Sequence, residues 1–272
     1  MLADRNAAAC HDLVQVYESA GGPVHALRGI STDFPVGSLT AVMGSSGAGK
    51  STFLRLIACL ERPTVGEVII DGAPTAQLTG RARQRLVARQ IGYVFQTPSD
   101  NLLSYLSVVE HVRMAWRMRA PEPPGAVDEL LDLTGLAELA KSRPTGLAAG
   151  EQQRLAFAMA VAARPALVIA DEPTASLDPA GAEALAALLP VLVAGGQTLV
   201  ICTHDSIVTD AATRVLLLSN GTLAAESDRG GELLSVLDGA DRIQLPRGMT
   251  GLFPGRRVRL TAYPDHVRIE RP

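Results

Sequence analysis

Residues 11–17, His-Asp-Leu-Val-Gln-Val-Tyr, alternate between polar and apolar at the two-residue period of a half-buried strand. A Gly-rich turn over residues 18–23 follows, and a second strand is predicted from Val24 to Ile30. A different pattern recurs at Leu39–Met43, Leu167–Ala170, Thr198–Cys202 and Val215–Leu218, where short apolar runs are nearly unbroken. Such runs suit strands covered on both faces of a parallel sheet. Gly66–Gly72 and Ile91–Phe95 read as two more short strands, the latter ending at Gln96. Helices are predicted at Phe53–Ile57, Gln77–Gln90, Ser107–Arg119, Ala126–Leu133, Glu151–Ala163 and Pro179–Leu189. Strands alternating with helices predict a doubly wound α/β core that binds ligands at the carboxyl ends of its strands. From Thr97 to Pro144 no strand pattern occurs, so this stretch reads as a helical insertion. The Gln77–Gln90 helix carries Arg81, Arg83, Arg85 and Arg89 and is read as a solvated face rather than a phosphate-contacting patch.

The pattern changes again near Ala240. Arg242–Leu245, Arg257–Tyr263 and His266–Glu270 alternate like strands, punctuated by Gly248, Gly251, Pro254 and Gly255. A small β appendage over 240–272 is predicted, joined through a helix at Gly231–Leu237 within a linker over 227–239. Its seven arginines between Arg242 and Pro272 face only Asp265 and Glu270. Gln244-Leu245-Pro246-Arg247 and the later Asp265-His266-Val267 resemble small swapped-hairpin β domains, some of which bind DNA; an edge hairpin packed on the core or on a second copy is the preferred reading.

Composition narrows the field. The 272 residues are 47% hydrophobic and 19% charged, enough for one large domain with a sizeable core plus a small appendage. A net charge of −3 argues against general attraction to nucleic acid. No apolar run approaches the roughly 18 residues of a membrane helix. Asp4 and Arg5 stand where a signal peptide would begin its apolar stretch. Cys10, Cys59 and Cys202 are widely spaced and read as core residues of a reducing compartment. The chain is therefore expected to be soluble and intracellular, with any membrane role supplied by a partner.

The chemistry concentrates at Gly44-Ser45-Ser46-Gly47-Ala48-Gly49-Lys50-Ser51-Thr52, between the strand at 39–43 and the helix at 53–57. Glycines let such a loop curl its N–H groups onto phosphate oxygens, and the helix N-terminus adds partial positive charge. Lys50 can reach the β- and γ-phosphates, and the Ser51 hydroxyl can ligate Mg²⁺. Asp171 and Glu172 emerge at the carboxyl end of the 167–170 strand. There Asp171 would hold Mg²⁺ and Glu172 would polarise the attacking water.

These elements, in this order over residues 11–226, resemble the nucleotide-binding subunits of ABC transporters. The resemblance implies a P-loop NTPase core with an antiparallel β subdomain and a helical subdomain at about 97–163. It implies that Tyr17 stacks on adenine, that Gly44–Thr52 is Walker A and Leu167–Glu172 is Walker B. It makes Gln96 the glutamine that touches Mg²⁺ and the transmembrane partner, Asp178 of Ser176-Leu177-Asp178 the D-loop aspartate, and His204 the switch histidine. Leu147-Ala148-Ala149-Gly150-Glu151 matches the signature motif in part, with Ala148 and Gly150 at its nucleotide-facing positions. Val24–Ile30, Asn101-Leu102-Leu103 and Glu151 are similar to the macrolide-export and lipoprotein-release branch. The implied protein is an ATP hydrolase, using ATP and Mg²⁺, at the cytoplasmic face of the cell membrane. Its implied partners are a transmembrane permease and a second ATPase subunit, identical or not.

One departure stands out. The family's signature reads Leu-Ser-Gly-Gly and acts in trans on the partner's γ-phosphate, whereas Ala148 has no hydroxyl and Ala149 carries a Cβ. If position 149 needs left-handed geometry, that Cβ costs about 1–2 kcal/mol. An intact catalytic set beside an altered signature is what a subunit paired with a non-identical one would show; a slow homodimer is the competing reading. A soluble ABC protein acting on nucleic acid or ribosomes is the alternative function. Its usual marks, a second cassette, zinc spacing or a heptad insert, are missing from this sequence.

Overall fold

The structure is a computed structural model that describes residues 5–228, 234–236, 259–263 and 267–270. The alternating N-terminal segments form β1 (Asn6–Tyr17) and β2 (Val24–Pro35), which pair with β4 (Val65–Ile70) and β5 (Ala73–Pro74) in the order β2-β1-β4-β5. All of these pairings are antiparallel. β1 starts five residues before the alternation predicts. Its first part, Ala7-Ala8-Ala9-Cys10, is buried throughout and so shows no polar face to alternate with.

The unbroken apolar runs become β3 (Leu39–Gly44), β7 (Leu167–Asp171), β8 (Leu199–Cys202) and β9 (Arg214–Ser219). With β6 (Ile91–Val94) they run parallel in the order β9-β3-β8-β7-β6. Successive side chains on these strands point to opposite faces. Leu39, Ala41, Val168, Ala170, Leu199 and Ile201 enter one core, and Val42, Leu167, Ile169, Val200 and Cys202 enter the other. The second core is filled by α1 (Lys50–Ile57) through Phe53, Leu54 and Ile57. The first is filled by α3 (Val108–Arg119), α4 (Ala126–Leu133), α5 (Ala149–Val161) and α6 (Pro179–Ala194). A sheet buried on both faces is why these strands carry no polar alternation.

Several expectations need correction. α6 does not stop at Leu189 but continues through Pro190 to Ala194, because the buried Leu192 keeps the last turns packed on the core. A proline there removes one N–H donor, and the burial outweighs that loss. No helix forms at 234–235: Leu234–Ser235 is β11, paired with β10 (Thr222–Asp228), which itself pairs antiparallel with β9. The predicted linker helix is thus an edge strand of the main sheet where it is described. Arg242–Leu245 lies outside the described residues. The last two predicted strands appear as β12 (Arg259–Ala262) and β13 (Val267–Glu270), an antiparallel pair. The charged helix, α2 (Gly80–Gln90), has no fully buried residue, as a solvated face requires. Leu86 and Val87 pack on the second core, and Arg83 also turns inward, donating to the Cys59 and Glu61 carbonyls beyond the end of α1.

The turn from α5 into β7 holds two consecutive non-glycine residues at positive φ, Ala163 at 58° and Arg164 at 52°. An L-residue in that region costs about 1–2 kcal/mol, and glycine does not pay it. Ala163→Gly is therefore expected to stabilise the fold by about 1 kcal/mol, read as a higher urea midpoint at unchanged m-value.

Candidate active site

β3, β6, β7 and β8 are parallel, so their carboxyl ends share one edge of the sheet, and the predicted site residues follow those ends. β3 ends at Gly44, whose place no larger residue can take: a Cβ there would lie 2.5 Å from the Leu218 carbonyl oxygen. The loop closes at Gly49, at φ 98°, where a Cβ would lie 2.6 Å from the Ala26 carbonyl oxygen. Between them Ala48 is buried, and its carbonyl accepts from Gly221 N at 3.1 Å. Ser45, Ser46 and Gly47 are exposed at the loop's rim. Lys50 opens α1 and folds back over the loop, its Nζ donating to Gly44 O at 2.9 Å and reaching Ser45 O at 3.4 Å. No side chain caps α1, so the N–H groups of its first turn are left facing the loop's concavity. Ser51 is exposed beside Lys50, and Thr52 is half-buried behind it.

Asp171 is the last residue of β7 and sits in register with Cys202 of β8. Glu172 follows at φ 46°, pinned by its N–H on the Cys202 carbonyl at 2.8 Å. The Glu172 carboxylate is mostly buried, and its Oε2 accepts no hydrogen bond. His204 Nδ1 lies 2.9 Å from that oxygen, within ion-pairing distance but not aligned as a hydrogen bond. His204 itself is 75% exposed at its side chain. Its backbone is set by Thr203, whose N–H donates to Val42 O at 3.1 Å. Gln96 stands exposed two residues past β6.

Two further titratable groups underlie this edge. Burial, reinforced by Asp171, pushes the Tyr93 phenol up to about 12. Burial, with Asp171 and Glu172 nearby, also raises the Cys202 thiol. Both therefore stay neutral at working pH and leave the charge at this edge to the carboxylates and Lys50.

Tyr17 ends β1 and donates its hydroxyl to Glu61 Oε2 at 2.6 Å, while Arg55 holds Glu61 Oε1 at 3.3 Å. Burial and then Glu61 raise the phenol, and the Thr52 side chain acts the other way, which places the ring beside the loop's helix. The sequence held no signal for Glu61: nothing in its spacing links it to Tyr17, and only the fold brings the two together.

The partial signature lies elsewhere. Ala148 is the N-cap of α5 and offers no side-chain acceptor; only the return half of a capping box forms, Ala148 N to Glu151 Oε2 at 2.8 Å. Ala149 is the first residue of α5 and is not among the positive-φ residues. The left-handed strain considered for position 149 is thus absent, since an alanine in a helix's first turn costs nothing. Gly150 packs on α6, where a Cβ would lie 3.5 Å from Gly181 Cα. Asp178 caps that helix, accepting from Gly181 N at 2.9 Å. Ala148, Gly150 and Asp178 make no hydrogen bond to the glycine-rich loop among the described residues.

The sequence model of the ABC transporter family matches residues 27–175. The chain belongs to the ABC transporter family. It is similar to an uncharacterised ABC transporter ATP-binding protein of Thermotoga maritima, 36% identical over 80% of this chain and 94% of that protein. It is also similar to the lipoprotein-releasing system ATP-binding protein LolD of Anaeromyxobacter dehalogenans, 41% identical over 75% of this chain and 88% of that protein. Among solved structures it resembles a dimeric ATP-binding cassette in a post-hydrolysis state bound to ADP and Pi, with TM-score 0.73 and 31% identity. That match covers 83% of this chain and 100% of the other. Methionine import and macrolide export proteins also match, though the chain spans only 63% and 32% of their lengths. The cassette is thus an ATP-binding and ATP-hydrolysing subunit of the transporter type, and the reading as a ribosome- or nucleic-acid-directed ATPase is not favoured. Among the described residues no helix is long and apolar enough to cross a membrane.

Proposed function

We propose that this cassette hydrolyses ATP between its own glycine-rich loop and the signature of a second subunit, and drives a transmembrane permease from the cytoplasmic face of the membrane. The observation that carries the reading is Glu172: a mostly buried carboxylate oxygen without a hydrogen bond, at the same sheet edge as the Lys50 ammonium. Burying a carboxylate is costly unless it is used, and a water approaching the γ-phosphate supplies the missing donor. Lys50, Gly44, Ser45, Ser46, Gly47, Ala48, Gly49, Ser51 and Thr52 bind the phosphates, and Tyr17 stacks on the adenine. His204 turns from Glu172 to the γ-phosphate when ATP is bound.

The donors at this edge fit Mg²⁺. They are a hydroxyl on Ser51, the Asp171 carboxylate and the Gln96 amide, with no cage of three or more His, Cys, Asp or Glu among the described residues. Mg²⁺ favours oxygen donors with one or two carboxylates, completed by phosphate and water, and here Asp171 is the single carboxylate. Ser51, Gln96 and Asp171 would hold it, and it would neutralise charge on the β- and γ-phosphates.

The second subunit is where Ala148 matters. Facing another chain's phosphate with no hydroxyl, this signature covers a weaker site, while Lys50, Asp171, Glu172 and His204 complete a full site when they meet an intact signature. A non-identical partner is the pairing that uses both properties. Lys50→Ala in the full chain tests the core of the reading: ATP binding is expected to weaken at least about a hundredfold, since a charge-assisted contact to phosphate is lost inside the loop. Unchanged ATP binding by Lys50→Ala would remove the assignment. Copurification of a multi-span membrane protein tests the permease.

A further inference from the structure

Gln96 sits in a loop from Phe95 to Ser107 whose backbone bonds at Asp100, Leu102 and Leu106 all close within the loop itself. Phe95 N donates to Asn101 Oδ1 at 3.3 Å, and a 3-10 turn at Pro98–Asn101 shapes the segment between. Beyond it, Leu103 N donates to His111 Nε2 at 2.8 Å. His111 belongs to the first turn of α3 and is fully buried. Its Nδ1 lies 2.8 Å from the Ser107 carbonyl oxygen.

These contacts determine the ring's protonation. A backbone N–H can only donate, so Nε2 is an acceptor and carries no proton. Nδ1 must then carry it and donate to Ser107 O, and the imidazole is neutral. We infer that His111 is a positioning residue for Gln96: its neutral ring pins the Gln96-bearing loop to α3, and protonation of the ring unpins it. A proton on Nε2 would set two N–H groups against each other where Leu103 N now donates, leaving Leu103 held only through its carbonyl, which accepts from Leu106 N at 3.1 Å within the loop.

The surroundings oppose that proton. Burial is the largest influence and lowers the ring's affinity below the ordinary 6.5; the Ser107 carbonyl and then Glu110 push the other way more weakly. Glu110 is on α3 itself and is engaged with the Ser107 N–H and hydroxyl, both at 2.7 Å. Arg143, in the segment before α5, acts on Glu110. No charged group of α2, α4 or α5 acts on the ring. A histidine depressed in the pinned state stabilises pinning fully above 6.5 and progressively less as pH falls toward its lowered value.

The inference rests on Gln96 being a site residue, which Gln96→Ala tests separately: full ATPase activity in that variant would defeat the site assignment whatever His111 does. The test of His111 is amide exchange of the full chain, corrected for intrinsic rates, with ATPase kinetics alongside. In the unsubstituted chain, opening at the Leu103 amide is expected to increase about tenfold between pH 7.5 and pH 5.0. His111→Gln, which keeps an acceptor that does not titrate, is expected to abolish that increase and keep near-normal turnover. His111→Leu is expected to open Phe95 and Leu103 at every pH and lower kcat about tenfold with ATP affinity unchanged, while amides of β7 and β8 stay protected. Equal Leu103 protection at both pH values in the unsubstituted chain, or a His111→Gln profile identical to it, would overturn the inference. Both outcomes can be read even if His111→Leu does not fold.

Discussion

Glu172→Gln is expected to slow phosphate release about a thousandfold while leaving ATP affinity within about twofold, the scale on which a positioned general base acts. The substitution keeps the side chain's shape, so it leaves the φ of 46° and the bond from its N–H to Cys202 in place. It removes only the charge and the basicity of an oxygen that accepts no hydrogen bond within the chain. Lys50, Ser51 and the loop's amides are untouched, so binding survives and the ATP-bound state accumulates. A phosphate-release assay beside equilibrium ATP binding separates the two effects. Loss of binding together with turnover would mean that Glu172 supports the loop rather than the water.

Ala148→Ser is expected to raise the turnover of the self-associated chain by about tenfold. A hydroxyl returned to the N-cap of α5 can donate to a charged phosphate of the facing site, a contact of roughly 1.5–3 kcal/mol. The same hydroxyl completes the capping box whose other half, Ala148 N to Glu151 Oε2 at 2.8 Å, already exists. It should therefore also stabilise the cassette by about 1 kcal/mol. Ala148→Asp separates these consequences: it caps α5 equally well, but its charge repels phosphate, so stability should rise and turnover should not. Ala149→Gly is expected to give no gain, because Ala149 is in ordinary helical conformation; glycine there would weaken the helix by about 1 kcal/mol. Stability from thermal melts and turnover at saturating ATP distinguish all three.

What the sequence disclosed, and what it hid, follows from the range of each interaction. The glycine-rich loop was legible because its chemistry is local: Gly44 and Gly49 stand where a Cβ would strike Leu218 O and Ala26 O, and nine consecutive residues contain the whole device. The parallel strands were legible because burial on both faces erases polar alternation. β10 and β11 were not, since an edge strand over Leu234–Ser235 depends on pairing with Ala225 and Glu226 rather than on its own pattern. Pro190 looked like an obstacle because the value of burying Leu192 cannot be seen from neighbours in sequence. The harmless geometry of Ala149 likewise needed backbone angles. The tie between Tyr17 and Glu61 and the tie between Leu103 and His111 join residues whose spacing carries no periodic signal.

On the proposed function, a second polypeptide completes the site that Lys50 and Glu172 begin. This is tested most directly by measuring ATPase activity per chain across a concentration series at saturating ATP and Mg²⁺, with the association state followed in parallel. Activity per chain should climb with concentration and level off as dimers fill, for the unsubstituted chain and, about tenfold higher, for Ala148→Ser. Constant activity per chain down to concentrations at which every molecule is alone would contradict it.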